Sequence, residues 1–196
     1  MMQILAISGS LRAASTNTVL LNAAAALAPE NLKITVYAGL ANLPHFNPDL
    51  DNDAPEAVND FRSQLAKSAG VIISSPEYAH GVPGVLKNAL DWLVASGELY
   101  EKPVALFSAS PRATFAQASL TVTLSVMSVR LIEEAFVIVP LLGKRLDESR
   151  VLADPGMSKA IRSALVTFVH AIGLVERGEV ENVGDDPTDH CTGTGG

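Results

Sequence analysis

ILAISGSLRAASTN occupies residues 4–17. Ile4 to Ile7 form a continuous apolar run, short enough for a strand and of the kind buried on both faces in a parallel sheet. The next ten residues carry hydroxyls at Ser8, Ser10, Ser15 and Thr16, one glycine, Arg12 and Asn17. An alanine- and leucine-rich segment follows, and residues 16–28 read as a helix. Strand, polar turn, helix is the opening of a βα unit.

The same alternation continues along the chain. Residues 33–37 read as a second strand and 55–68 as a second helix, with Val58, Phe61 and Leu65 on one face. Asp53 is placed to cap that helix and Pro55 suits its first turn. Residues 70–74 (GVIIS) read as a third strand, 85–95 as a third helix and 104–107 as a fourth strand. A helix is expected within 112–131, although Thr121-Val122-Thr123 favours strand locally. A fifth strand at 136–139 and a last helix at 159–172 complete the pattern. Five such alternations indicate a three-layer α/β domain with a five-stranded parallel sheet and helices on both faces. The domain is expected to span residues 1–175, with 176–196 as an acidic, disordered tail.

Composition narrows the function classes. The chain has 196 residues, 48% of them hydrophobic and 18% charged, as in a globular domain. The net charge is -7, and the tail concentrates it, with six acids against one base in residues 176–196. No basic patch suggests nucleic acid as a partner. The single cysteine, Cys191, excludes an intrachain disulfide and agrees with a reducing compartment. No apolar run approaches the ~18 residues of a membrane span, and no basic segment precedes the short apolar run at the N-terminus. A cytoplasmic location and no membrane partner are therefore expected.

In an open α/β sheet, ligands bind beyond the carboxyl ends of the strands. The loops concerned are residues 8–15, 75–83 and 108–112. All three are rich in polar side chains. A helix N-terminus leaves unpaired amides and favours negative charge, so a phosphate is stabilised after the first strand. Ser10, Ser15 and Thr16 add hydroxyls, Arg12 a charge-assisted contact and Asn17 an amide. The alternative is ordinary capping of the helix by Ser15. The lysine and second glycine of a P-loop are missing, as is a G-x-G-x-x-G fingerprint. A phosphatase loop would need a cysteine nucleophile here, and Cys191 is far along the chain. The loop therefore suits holding a phosphate rather than cleaving one.

In the second loop, two prolines and two glycines fix the shape of Ser75 to Gly84. Tyr78 can pack on a flat heterocycle or on a partner chain. Glu77 can anchor the loop through backbone amides, and His80 is either a proton donor or a solvent-exposed histidine. Lys87 and Asp91 are spaced i, i+4 on the third helix, either a weak surface pair or a contact between subunits. Trp92 and Tyr100 favour the subunit contact. In the third loop, Arg112 reads as a surface arginine.

Together, SGSLRAASTN, LPHFNPDL (43–50) and PEYAHGVPGVLKNALDWL (76–93) resemble the NADPH-dependent FMN reductases of the flavodoxin-like fold. That family includes flavin, quinone, chromate and azo reductases. The resemblance implies a sheet order of 2-1-3-4-5 and FMN as cofactor. NADPH or NADH would be co-substrate, with ping-pong transfer of hydride to a small acceptor. It implies that Ser10, Arg12, Ser15, Thr16 and Asn17 hold the FMN phosphate. Pro76, Glu77 and Tyr78, with Ala79 and His80, would line the flavin ring, and Ser108 and Ser110 would border its other side. No side chain is assigned as catalytic, and no metal is implied. A homodimer or homotetramer is implied, with helix 84–95 (Lys87, Asn88, Asp91, Trp92) near the contact. Two departures stand out: Ala79 replaces the family's asparagine, and Pro111 to Phe115 replace its glycine-rich segment. The rival expectation is a non-enzymatic flavin-binding electron carrier or redox-responsive regulator.

Overall fold

The computed structural model describes residues 1–141 and 147–179. Cys191, and the expected tail beyond residue 179, lie outside the described residues. The strands are β1 (Met2–Ser8), β2 (Leu32–Val36), β3 (Gly70–Ser74), β4 (Pro103–Ser108), β5 (Arg130–Leu131) and β6 (Val137–Ile138). The helices are α1 (Thr16–Ala26), α2 (Glu56–Ala66), α3 (Gly84–Asp91), α4 (Thr114–Val126), α5 (Glu148–Ala153) and α6 (Pro155–Glu176). All described strand pairings between these elements are parallel, in the order β2-β1-β3-β4-β5, with β6 also beside β4.

The apolar runs of the inner strands are continuous because helices cover both faces. Ile4, Ala6, Ile72, Ala105 and Phe107 face one layer, where Leu20 and Leu21 of α1 meet Ile161, Leu165, Phe168 and Ile172 of α6. Leu5, Ile7, Val71, Ile73, Val104 and Leu106 face the other, against Phe61 and Leu65 of α2, Leu86 and Leu90 of α3, and Leu120 and Leu124 of α4. Alternate residues of each strand thus feed opposite layers.

The strand expected at 136–139 is the two-residue β6, and a second short strand, β5, ends the stretch expected to hold a helix. Leu131 pairs with Val104 and Val137 with Phe107, on either side of a 3-10 turn at Glu133–Ala135. Ala135 turns into the core while Glu133 and Glu134 stay exposed. Such a broken edge offers little continuous ladder to another strand. Asp53 does not cap α2: it ends a 3-10 turn (Pro48–Asp53), and the cap residue of α2 is Pro55. The Thr-Val-Thr stretch is helical because burial of Leu120 and Leu124 on one face outweighs local strand preference. The last helix is longer than its apolar pattern suggests: Asp154 accepts from the Met157 amide and Pro155 opens the first turn. Its 22 residues are long and apolar enough to cross a membrane by length and composition. Its inner face, however, is built into the core through Phe168 and Ile172.

The 43–50 segment is clamped by α3. Asn88 Oδ1 accepts from the Phe46 amide at 2.8 Å, and its Nδ2 donates to the Pro44 carbonyl at 2.9 Å. Trp92 Nε1 donates to the same carbonyl at 2.9 Å. Trp92 is 0% exposed and packs edge-on against Phe46, with ring centroids 5.1 Å apart. The Trp92 indole is in the core because its N–H and its ring both find partners there, so Trp92 offers no surface of its own to a second copy. Replacing Asn88 with Ala orphans the part-buried Phe46 amide and leaves the Pro44 carbonyl with Trp92 as its donor. We expect a loss of about 1–3 kcal/mol, read as a lower denaturant midpoint at unchanged m-value.

Candidate functional site

Three loops meet at the carboxyl edge because the strand ends are in register. Ser8 lies opposite Ser74, and Ile73 opposite Leu106. The Gly9 amide donates to the Ser74 carbonyl at 2.8 Å. A Cβ built on Gly9 would stand 3.0 Å from Leu86 Cδ2 and 3.2 Å from Ser75 Oγ, so only glycine lets the first loop press against the second.

In the first loop Ser15 is the N-cap of α1, and its Oγ accepts from the Thr18 amide at 3.4 Å. Asn17 is buried, and its Oδ1 accepts from Ser74 Oγ at 2.9 Å. The side-chain oxygens of Ser15 and Asn17 thus hold the loop. Ser10 Oγ accepts from the Arg12 amide, and Ser8 Oγ bonds Thr18 Oγ1. The Thr16 and Asn17 amides find no acceptor among the described residues, and the Arg12 guanidinium finds no carboxylate. Arg12 is exposed. A helix start with free amides beside an unpaired cation fits a phosphate.

The second loop folds as a tight hairpin. Tyr78 and Gly81 exchange both backbone hydrogen bonds, at 3.2 and 3.0 Å. Ala79 and His80 form the turn with φ of 49° and 58°. Two left-handed central residues make a type I′ turn, which favours Asn-Gly. The alanine at position 79 therefore has a backbone consequence, since a Cβ there costs about 1–2 kcal/mol in this conformation. Glu77 links the hairpin to α4. Its Oε2 accepts from the Ala116 amide of α4 at 3.0 Å, and its Oε1 lies 3.1 Å from His80 Nδ1. The Ala116 N–H, with help from His80, holds the carboxyl below the ordinary glutamate range, against partial desolvation. Tyr78 is 57% exposed.

The third loop repeats the first. Ser108 Oγ accepts from the Ser110 amide and Ser110 Oγ from the Arg112 amide, at 3.3 and 3.1 Å. Ser8 Oγ and Ser10 Oγ do the same for Ser10 and Arg12, at 3.4 and 3.3 Å. The repeat is visible in the sequence as SGSLR against SASPR, a signal that reading each loop separately misses. The structure thus brings Ser10, Arg12, Ser15, Thr16, Asn17, the 76–80 hairpin, Ser108 and Ser110 to one edge.

That edge has known counterparts. The profile of the NADPH-dependent FMN reductases matches residues 2–141. The chain belongs to that family. It is 33% identical over 175 residues to a 2-hydroxy-1,4-benzoquinone reductase of a Burkholderia species, covering 86% of this chain and 92% of that one. A quinone reductase of Escherichia coli (strain K12) is 32% identical over 113 residues, 56% of this chain and 60% of that protein. The structure superposes on FerB, a flavoenzyme NAD(P)H:(acceptor) oxidoreductase of Paracoccus denitrificans, with a TM-score of 0.76 and 26% identity, covering 88% of this chain and 98% of that one. This FMN reductase family member is accordingly an oxidoreductase of flavodoxin-like fold that uses FMN with NAD(P)H as co-substrate.

Two expectations follow from the hairpin. Ala79→Asn should raise stability by about 0.5–1 kcal/mol, because asparagine tolerates the left-handed region; a lower denaturant midpoint would contradict the turn. Because the folded pKa of Glu77 is depressed, its contribution is complete above the ordinary glutamate range and is lost as pH falls through the lowered folded value. The stability gap between wild type and Glu77→Gln, measured by urea unfolding, should therefore narrow as the medium is acidified below that range.

Proposed function

We propose that this enzyme takes hydride from NAD(P)H and delivers it to a small acceptor of the quinone class in a ping-pong cycle. The observation that carries the reading is the first loop: free α1 amides, Ser10 and the unpaired Arg12 together on the rim. The names of two relatives support quinones over flavin, chromate or azo compounds as acceptor. Arg12, Ser10 and Thr16 would grip the FMN phosphate, with Ser15 and Asn17 holding the loop in shape. The hairpin from Pro76 to His80 would receive the ring on one side, and Ser108 and Ser110 would border it on the other. FMN, when bound, supplies the hydride chemistry. The chain's part is to orient the reactants and keep the site apolar. Tyr78 and Phe115, both well exposed, provide apolar surface on the rim for a flat acceptor. A single cysteine accords with work in the reducing cytoplasm.

The enzyme would work as a homodimer through α3 and α4. A groove of about 470 Å³ runs between them, away from the three loops, and is lined in part by Val94, Tyr100, Val122 and Val126. Those four side chains are 64–82% exposed. Lys87 and Asp91, 2.5 Å apart beside the groove, offer both signs of charge to a second copy related by a two-fold axis.

The purified protein should be yellow or take up added FMN, and its flavin absorbance should bleach within seconds of anaerobic NADPH addition. A colourless protein that ignores FMN would refute the reading. Arg12→Ala should weaken FMN binding by about 1.5–3 kcal/mol in a fluorescence titration. Val126→Glu should convert the dimer to monomer in sedimentation velocity without unfolding it.

A further inference from the structure

The two arginine-bearing loops are built alike and finished differently. Each follows a strand that ends in serine, and each carries the two-step serine ladder to its arginine. After the first, α1 begins with amides that await an acceptor. After the second, α4 begins at Thr114 with Ala113 as cap residue and no capping side chain of its own. Glu77 supplies that acceptor from another loop. Its Oε2 accepts from the Ala116 amide at 3.0 Å. His80 adds a second tie, with its ring edge-on to Phe115 at a centroid distance of 4.7 Å. Residues 77 and 80 therefore grip residues 115 and 116 at two points. Glu77 is only 15% exposed, against 76% for His80 beside it.

We propose that Glu77 is a positioning residue, a built-in anion at the start of α4 that holds the 76–81 hairpin where it receives the flavin ring. The proposal rests on the flavin reading of the preceding section. A carboxylate at a helix start satisfies first-turn amides and the helix dipole together. The hairpin needs such a brace, because its two left-handed non-glycine residues store strain that a free loop would release. Both carboxylate oxygens are already engaged, so the side chain braces the hairpin rather than touching the ring. In the first loop the anion comes from the ligand. In the third it is part of the chain.

The test uses the full chain and three variants, with two readouts: FMN affinity by fluorescence titration, and amide hydrogen exchange at Gly81 and Ala116 without FMN. Glu77→Ala removes the acceptor and Glu77→Asp keeps the charge but shortens the reach. Both should weaken FMN binding at least about tenfold and speed exchange at both amides by a similar factor. Glu77→Gln keeps one acceptor at the same reach but loses the charge, and should fall between wild type and Glu77→Ala on both readouts. Glu77→Asp or Glu77→Gln matching wild type would show that reach or charge, respectively, has no bearing on the hairpin and would overturn the proposal. So would faster exchange with unchanged FMN affinity, which marks a helix cap with no bearing on the ring. If Glu77→Ala does not fold, Glu77→Asp against Glu77→Gln carries the same decision. Wild-type protein that binds no FMN would end both the flavin reading and the positioning role. Exchange at Ala116 would then still report whether Glu77 holds the hairpin.

Discussion

Parallel pairing of β1 with β3, Ser8 opposite Ser74, sets the positions of the first two loops at the carboxyl edge. The pairing is enforced from both sides, since the odd and even residues of β1 fill two different core layers. A slip of one residue would exchange those layers and move every loop. Gly9 converts the register into contact. Its amide bonds the Ser74 carbonyl, and the missing Cβ leaves room for Leu86 and Ser75.

Within that frame, the site is governed by what the helix starts require. Unpaired first-turn amides demand acceptors, and the two helices on either side of the edge answer differently. The first amides of α1, at Thr16 and Asn17, have no acceptor among the described residues. The Ala116 amide of α4 is met by Glu77, which also meets His80. The negative charge at α4 thus comes with the fold.

Much of this was legible in the residues. The three apolar runs with their loops pointed to a doubly covered parallel sheet, and the sheet order is the one implied by the resemblance. The polar side chains expected at the edge are at the edge. What could not be read was which of them hold the loops. Ser15 and Asn17 bond within the chain, and nothing local distinguishes a capping hydroxyl from one aimed at a ligand. Likewise KNALDW and LPHFNPDL belong together for a structural reason: Asn88 and Trp92 of the one clamp Pro44 and Phe46 of the other. From the sequence, a tryptophan beside a lysine–aspartate pair reads as part of a subunit contact. Only packing reveals that its N–H has a carbonyl to bond.

The sequence by itself determined the alternation of strand and helix, the burial of both sheet faces and the chemical character of the edge. Those properties depend on periodicity and residue type, which are local. The tertiary structure alone decided the reach of Glu77 to Ala116, 39 residues away, and the broken edge of the sheet. It also decided the left-handed turn at Ala79 and His80. Each depends on a partner from elsewhere in the chain or on a backbone angle that side-chain identity disfavours. The energies that settle them arise only once the sheet has brought the loops together.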